Sequence, residues 1–265
     1  MYTGKKLNLD NPQTYCEKLN WLKLYYHNPL FTQMVDKYEA KKYVSDLIGE
    51  EHIIPTLDVY ESFDEIDFSK LPKQFVLKTT HNSGGIVICK DKETFDKEAA
   101  KSKLMKSLKH DYYKFSKEWP YKNVHPRIIA EQYMEDETGE LKDYKWFCFN
   151  GEPKALFIAS DRQSKDEETK FDFFDMNFNH IPMKSPEHPN AIRPIAKPRG
   201  FDEMKVLAAK LAEGLPHVRV DLYDIKGQLY FGELTFFHDS GFFPFEPEEW
   251  ERKFGEWITL PTKME

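Results

Sequence analysis

Val218-Arg219-Val220-Asp221-Leu222-Tyr223 and Tyr230-Phe231-Gly232-Glu233-Leu234-Thr235 flank the segment Asp224-Ile225-Lys226-Gly227, and together they read as a β-hairpin. A three-residue loop whose last member, Gly227, takes a positive φ predicts pairing of odd with odd positions. That register puts Arg219, Asp221 and Tyr223 on one face with Phe231, Glu233 and Thr235. Val220, Leu222, Tyr230 and Leu234 form the other, apolar face. One arginine and two carboxylates then converge on a single side of a sheet. Carboxylates placed this way bind Mg²⁺, and an arginine beside them suits phosphate. Taken alone, the stretch favours a simpler reading, a half-buried hairpin with a solvated polar face.

The rest of the chain bounds the choice. Its 265 residues can bury a substantial core in one large or two smaller domains. A hydrophobic content of 40% with 15% aromatics describes a globular chain, and a net charge of −7 argues against nucleic acid or an anionic membrane as partner. Cys16, Cys89 and Cys148 lie far apart, without a CxxC or His/Cys cluster, so reduced thiols in the cytoplasm are expected. Neither the start, Met1-Tyr2-Thr3-Gly4-Lys5-Lys6, nor any later stretch is apolar for long enough to suggest a signal peptide or transmembrane helix.

Before the hairpin, helical spacing covers residues 14–26, with Thr14 and Glu17 as a capping box, and a second helix runs from Leu30 to Ile48, stopped by Gly49. His52 to Tyr60 reads as extended and Ser62 to Phe68 as a short helix. Strands are predicted at Gln74–Thr80, Ile86–Cys89 and Arg127–Met134, with a helix opened by Asp91-Lys92 and carrying Lys97 to Leu108. Tyr144–Phe149 and Pro153–Ala159 form a strand pair around Asn150-Gly151, a strong hairpin signal. A short strand at Phe171–Asp175, a helix from Phe201 to Leu215 and an aromatic tail complete an α+β pattern.

Chemistry concentrates in a few places. Lys78 precedes the small-residue turn His81-Asn82-Ser83-Gly84-Gly85, where backbone N–H groups can approach a phosphate; the order is not that of a P-loop, and a plain hairpin turn has the same composition. Glu131-Gln132-Tyr133-Met134 leaves a strand for the acidic stretch Glu135 to Thr138, and such a crossing segment can offer backbone groups to a purine edge. Asp143 is a candidate for ribose hydroxyls and Lys145 a second positive group. His81, His217 and His238 lack metal or nucleophile spacing and read as structural.

In order and spacing, these pieces resemble the TupA-like ATP-grasp family, associated with teichuronopeptide and capsular polysaccharide synthesis. The phrases that carry the likeness are Leu7–Thr14 with Glu17-Lys18-Leu19, Asp36-Lys37-Tyr38, Lys78–Gly85, Asp143–Gly151, Arg219-Val220-Asp221 and Gly232–Phe237, which span nearly the whole chain. The resemblance implies an ATP-grasp fold of two α+β subdomains clamping ATP. Its divisions are a helical segment at 1–50, a lid subdomain with the phosphate loop at 51–134 and a C-terminal subdomain at 135–265. Lys78 and His81, Asn82, Ser83, Gly84 and Gly85 are implied for the phosphates, Glu131, Gln132, Tyr133 and Met134 for adenine, and Asp143 for ribose. Asp221, Glu233 and Thr235 are implied for Mg²⁺, and Arg219 and Lys145 for catalysis. Thr235 departs from the asparagine of many ATP-grasp enzymes, although a hydroxyl can also ligate Mg²⁺. The implied activity is ATP-dependent carboxylate–amine ligation through an acylphosphate, on a small-molecule or glycan-precursor substrate. A sugar or polyol kinase and a non-catalytic nucleotide-binding module are the alternatives. The sequence assigns neither the acceptor nor an oligomeric state.

Overall fold

The computed structural model describes residues 6–136, 139, 141–161 and 168–264. The chain start to Lys5 and Glu137-Thr138 of the acidic stretch, both read above, lie outside them. The chain divides into two compact units, residues 29–135 and residues 1–28 with 136–265. The expected 1–50 segment is thus split between them, because its first helix joins the larger unit and its later helices the smaller.

In the smaller unit, strands β1 (Thr56–Tyr60), β2 (Phe75–Thr79), β3 (Ile86–Cys89) and β4 (Ile128–Gln132) form an antiparallel sheet in the order β1-β4-β2-β3. Alternation sends Phe75 and Leu77 of β2 and Ile128 and Ala130 of β4 into a core with Ala100 and Leu104 of helix α4 (Lys97–Leu108). Lys78 and Glu131 project from the opposite face. α4 starts at Lys97 and not at Asp91, because the Asp96 carboxylate accepts the Ala99 amide at 2.9 Å and caps it there. The expected helix Leu30–Ile48 is two helices, α2 (Leu30–Val35) and α3 (Glu39–Ile48), and a short helix α5 (Tyr112–Ser116) follows α4. Asp36 takes an extended ψ of 116°, and its carboxylate accepts the Tyr38 and Glu39 amides at 2.8 and 3.3 Å, an Asx cap that restarts the helix.

In the larger unit a six-stranded antiparallel sheet has the order β10-β9-β5-β6-β7-β8. The strands are β5 (Asp143–Phe149), β6 (Glu152–Ser160), β7 (Lys170–Phe174), β8 (His180–Ile181), β9 (His217–Ile225) and β10 (Gln228–Thr235). Asn150 and Gly151 turn β5 into β6 with φ of 49° and 85°, the left-handed pair that this dipeptide favours. Helix α6 (Phe201–Ala212) covers one face, packing Phe201 against Trp146 at 5.1 Å. It ends before the expected Leu215, with Gly214 in the left-handed region at φ 72°. Helix α1 (Tyr15–Tyr25), with the predicted Thr14–Glu17 capping box, joins α7 (Glu248–Trp257) on the other side, where Tyr15, Phe147, Phe149 and Phe254 pack edge to face and Phe245 stacks on Tyr15 and meets Phe147 edge on. All three cysteines are free and buried. No helix among the described residues is long and apolar enough to cross a membrane.

Candidate functional site

The β9–β10 hairpin differs from the expected one in a way that decides its chemistry. Its turn has two residues, Lys226 and Gly227, at φ 57° and 90°, so Tyr230 pairs with Tyr223 and Phe231 with Leu222. The expected places of Tyr230 and Phe231 are therefore exchanged: Phe231 is buried on the core face and Tyr230 is half-buried beside Tyr223. A β-bulge at Gly232 then adds one residue, and from there Glu233 pairs with Asp221 and Thr235 with Arg219. The polar face predicted from a wrong turn length is thus restored by the bulge. A Cβ on Gly232 would lie 3.0 Å from the Asp221 carbonyl oxygen, which explains the glycine there.

Part of that face is withdrawn from water, although the Glu233 side chain is 41% exposed. Arg219 is 8% exposed and Asp221 1%. Arg219 Nε donates to Asp221 Oδ1 at 2.7 Å, and Arg219 Nη2 donates to Asp221 Oδ2 at 2.8 Å, Thr235 Oγ1 at 3.0 Å and Glu233 Oε1 at 3.2 Å. The three residues expected to hold Mg²⁺ thus converge on one positively charged nitrogen. Lys145, on β5 opposite Asp221, donates to the same carboxylate and lies 3.6 Å from Asp143 Oδ2. Asp143, expected at a ribose, is buried in this cluster. Burial works against the Arg219 charge, but Asp221, then Glu233 and Asp239, outweigh it and raise its pKa.

A second layer fixes the arginine. Arg219 Nη1 lies 2.8 Å from His238 Nδ1, and since a guanidinium only donates, Nδ1 accepts and the imidazole proton sits on Nε2, 3.2 Å from Asp239 Oδ2. Burial, then Arg219 and Lys145, hold the His238 pKa well below its usual value, so the ring stays neutral. Asp239, Ser240 and Gly241 are all left-handed, at φ 46°, 53° and 70°. Donors from α1 secure this turn: Lys23 Nζ to Ser240 O and Asn20 Nδ2 to Gly241 O, each at 2.6 Å. His238 and Asp239 are members that sequence reading did not place, since nothing in their spacing announces a contact with Arg219.

The smaller unit holds a different cluster. Glu131, 4% exposed, receives Lys78 Nζ at 2.6 Å and Lys41 Nζ at 2.5 Å. Burial alone would push the Glu131 carboxyl up, but the two ammonium groups prevail and hold it below the usual carboxylate range. Lys41, from α3, went unnoticed in the sequence because a lysine on a helix face carries no signal of its distant partner. Lys41 Nζ also donates to Ile54 O at 2.8 Å and Thr56 Oγ1 at 2.7 Å, which fixes it beside the carboxylate. Beyond Glu131, the Gln132 amide donates to Pro55 O at 3.0 Å and is therefore engaged, Tyr133 Oη donates to Glu135 at 2.8 Å, and Met134 is half-buried.

The loop after β2 is firm at its ends and open at its tip. Thr79 Oγ1 donates to Asn82 Oδ1 at 2.7 Å, Asn82 Nδ2 to Ser107 O at 2.8 Å, and Lys37 Nζ to Asn82 O at 2.5 Å. His81 is buried and its pKa lowered, chiefly by that burial. Ser83 and Gly84 are exposed, and a Cβ on Gly84 would meet nothing within 4 Å, whereas one on Gly85 would strike Thr79 Oγ1 at 1.9 Å. Gly85 serves packing, and Ser83 and Gly84 supply the open backbone.

Mg²⁺ takes hard oxygen ligands. Asp221, Glu233 and Thr235 provide such oxygens around a cation, the guanidinium standing in for a metal, and in donor chemistry they fit the ion. Among the described residues no group of three or more His, Cys, Asp or Glu side chains is arranged to hold a metal ion.

No curated protein matches the chain. Solved structures similar to it include the D-alanine–D-alanine ligase of Bacillus anthracis complexed with ATP, at 15% identity and a TM-score of 0.41 over 76% of this chain and 53% of that one. The corresponding ligase of Helicobacter pylori has 15% identity and a TM-score of 0.47 over 87% and 60%. An L-amino acid ligase of Bacillus licheniformis has 12% identity and a TM-score of 0.46 over 81% and 44%. The chain spans between 44% and 60% of the length of these three, and likenesses this distant say nothing of its activity. The model of the TupA-like ATP-grasp family matches residues 17–259, and the chain belongs to that family.

Proposed function

We propose that the chain is a Mg²⁺- and ATP-dependent ligase that joins a carboxylate to an amine through an acylphosphate, acting on a glycan precursor in capsule or cell-envelope polysaccharide assembly. The observation that carries this reading is the convergence of Asp221, Glu233 and Thr235 on Arg219 Nη2, with Lys145 on the same carboxylate. Mg²⁺, when bound, supplies charge neutralisation on the phosphate oxygens. Asp221 and Glu233 would hold the ion, and Arg219 and Lys145 would then face the phosphoryl group in transfer, where their partial burial leaves their charge less screened. His238 keeps Arg219 aligned and, being neutral, adds no competing charge. Lys78, steered by Glu131, and the backbone of Ser83 and Gly84 serve the other phosphates. Tyr133 and Met134 follow as the segment for adenine, with the Gln132 amide already engaged.

In the proposed reaction a carboxylate oxygen attacks the γ-phosphorus and ADP leaves. The amine then attacks the acyl carbon, phosphate departs and the nitrogen loses a proton. ADP and phosphate release with Mg²⁺ and a panel of acids and amines tests this. Asp221→Asn is expected to lower turnover about 100-fold or more. Unchanged turnover in both Asp221→Asn and Glu233→Gln would remove the metal assignment, and a stable phosphate ester in place of free phosphate would identify a kinase.

A further inference from the structure

The sheet of the larger unit has a second functional-looking face. On β5 the side chains alternate, so Lys145, paired with Asp221, and Tyr144, paired with Leu222, lie on opposite sides. Tyr144, with Ile158 opposite it on β6, lines a cavity of about 600 Å³ bounded by residues 193–199 and the β9–β10 turn. This volume lies within the range of small-molecule sites, roughly 300–1,000 Å³. The cavity is therefore on the face away from Arg219 and Asp221.

Its charge runs against that of the chain. Lys142, Arg193, Lys197, Arg199 and Lys226 line it against three aspartates, in a chain of net charge −7. The aspartates are engaged: Asp161 accepts from Arg193 Nη2 at 2.6 Å, Asp224 accepts the Gly200 and Gly227 amides at 3.0 and 2.9 Å, and Asp136 lies 3.6 Å from Lys142. Lys197 pairs with Asp202 at 3.2 Å. Arg199 and Lys226 are exposed and make no ion pair among the described residues. Two uncompensated cations thus border a cavity whose wall includes an aromatic ring and the apolar Ile158 and Ile195.

We infer that this cavity is a second ligand site, for a small organic anion bearing a phosphate or carboxylate on a ring-sized body. Arg199 and Lys226 hold the anion, and the ring lies against Tyr144. The site stands independently of the ligase proposal.

Calorimetric titration of the whole chain with glucose 1-phosphate, glucuronate and glucose tests it, the first two separating phosphate from carboxylate. At least one anionic probe is expected to bind and glucose not to, with affinity falling as salt is raised. Arg199→Glu with Lys226→Glu is expected to weaken binding about tenfold or more, and the single alanine variants about threefold each, since the groups are exposed. Thermal melting of each variant reports its folding. Glu233→Gln, on the other face, is expected to bind as the wild type does. Failure of both anions to bind, equal binding of glucose, full binding by the folded charge-reversal variant, or loss confined to Glu233→Gln would each overturn the site.

Discussion

In the unit of residues 29–135 one buried carboxylate, Glu131, meets two ammonium groups, Lys41 and Lys78. In the other unit two cations, Arg219 and Lys145, meet three carboxylates, Asp143, Asp221 and Glu233. Counted over these direct ion pairs, with Asp239 beyond them and Glu233 partly exposed, the first cluster has one more cation than carboxylate and the second one more carboxylate than cation. A buried surplus is costly until a ligand of opposite sign offsets it. Under the proposed function the first surplus suits phosphate and the second a metal ion, so the same residue types serve opposite tasks through their proportions.

The most severe way to break the contrast is to neutralise Glu131. Glu131→Gln leaves Lys41 and Lys78 facing each other with no anion between them, and should destabilise the chain by about 3–5 kcal/mol, read from urea unfolding. Lys78→Met leaves a one-to-one pair and should lose much less. An equal loss in the two variants would mean that charge surplus is not what distinguishes the cluster.

Acid should next weigh more on the larger unit, which holds two buried histidines with lowered pKa, His217 and His238, against His81 in the smaller. In the larger unit His217 donates from Nδ1 to Phe236 O at 3.0 Å and accepts from Tyr15 Oη at 3.0 Å; burial, its main cause, pushes its pKa down from 6.5 to about 3. A group whose folded pKa is depressed contributes stability that is complete above its unfolded pKa and lost as pH falls. His217 and His238 should therefore erode stability from about pH 6.5 downward, by up to about 1.4 kcal/mol per pH unit for each proton taken up. In the smaller unit His81, also lowered by burial, adds to the same slope, whereas Glu131 contributes in full above its unfolded value of 4.5 and loses that share only below it. Unfolding measured between pH 7 and 5 should show the slope, and His217→Gln should flatten it. A wild-type stability independent of pH over that interval would refute the assignment.

Smaller effects sharpen the two local devices. Gly85→Ala drives a Cβ into Thr79 and Ser107 and should cost about 2 kcal/mol, whereas Gly84→Ala, strained only by its φ of 85°, should cost about 1 kcal/mol and stiffen the exposed tip. A reversed order would assign the packing role to Gly84. Gly232→Ala is expected to cost about 1 kcal/mol, and the diagnostic change is a disturbed Glu233–Asp221 pairing seen in amide exchange near the bulge.

Much of the larger unit is legible because its signals are local. Thr14 and Glu17 are three residues apart and form their capping box, and Asn150-Gly151 takes the two left-handed conformations its composition favours. The hairpin was legible in identity but not in register, since a two-residue and a three-residue turn both end at Gly227. The break between α2 and α3 was hidden because an aspartate within an apolar helical period does not announce itself as a cap, and the Lys37 amide that leaves the helix donates to Thr80 O, at 3.1 Å, far along the chain.

Composition, periodicity and turn chemistry by themselves determined the α+β pattern and most elements, whereas the candidate phosphate and metal residues came from the resemblance to a family. The pattern and the elements depend on contacts within a few residues. Tertiary structure alone decided that Arg219 and Asp221 are buried, that the Gly232 bulge returns Glu233 and Thr235 to their side, and that Glu131 is held between Lys41 and Lys78. Those outcomes depend on strands and helices distant in the chain, and charge counts as chemistry only after such neighbours have taken away the water.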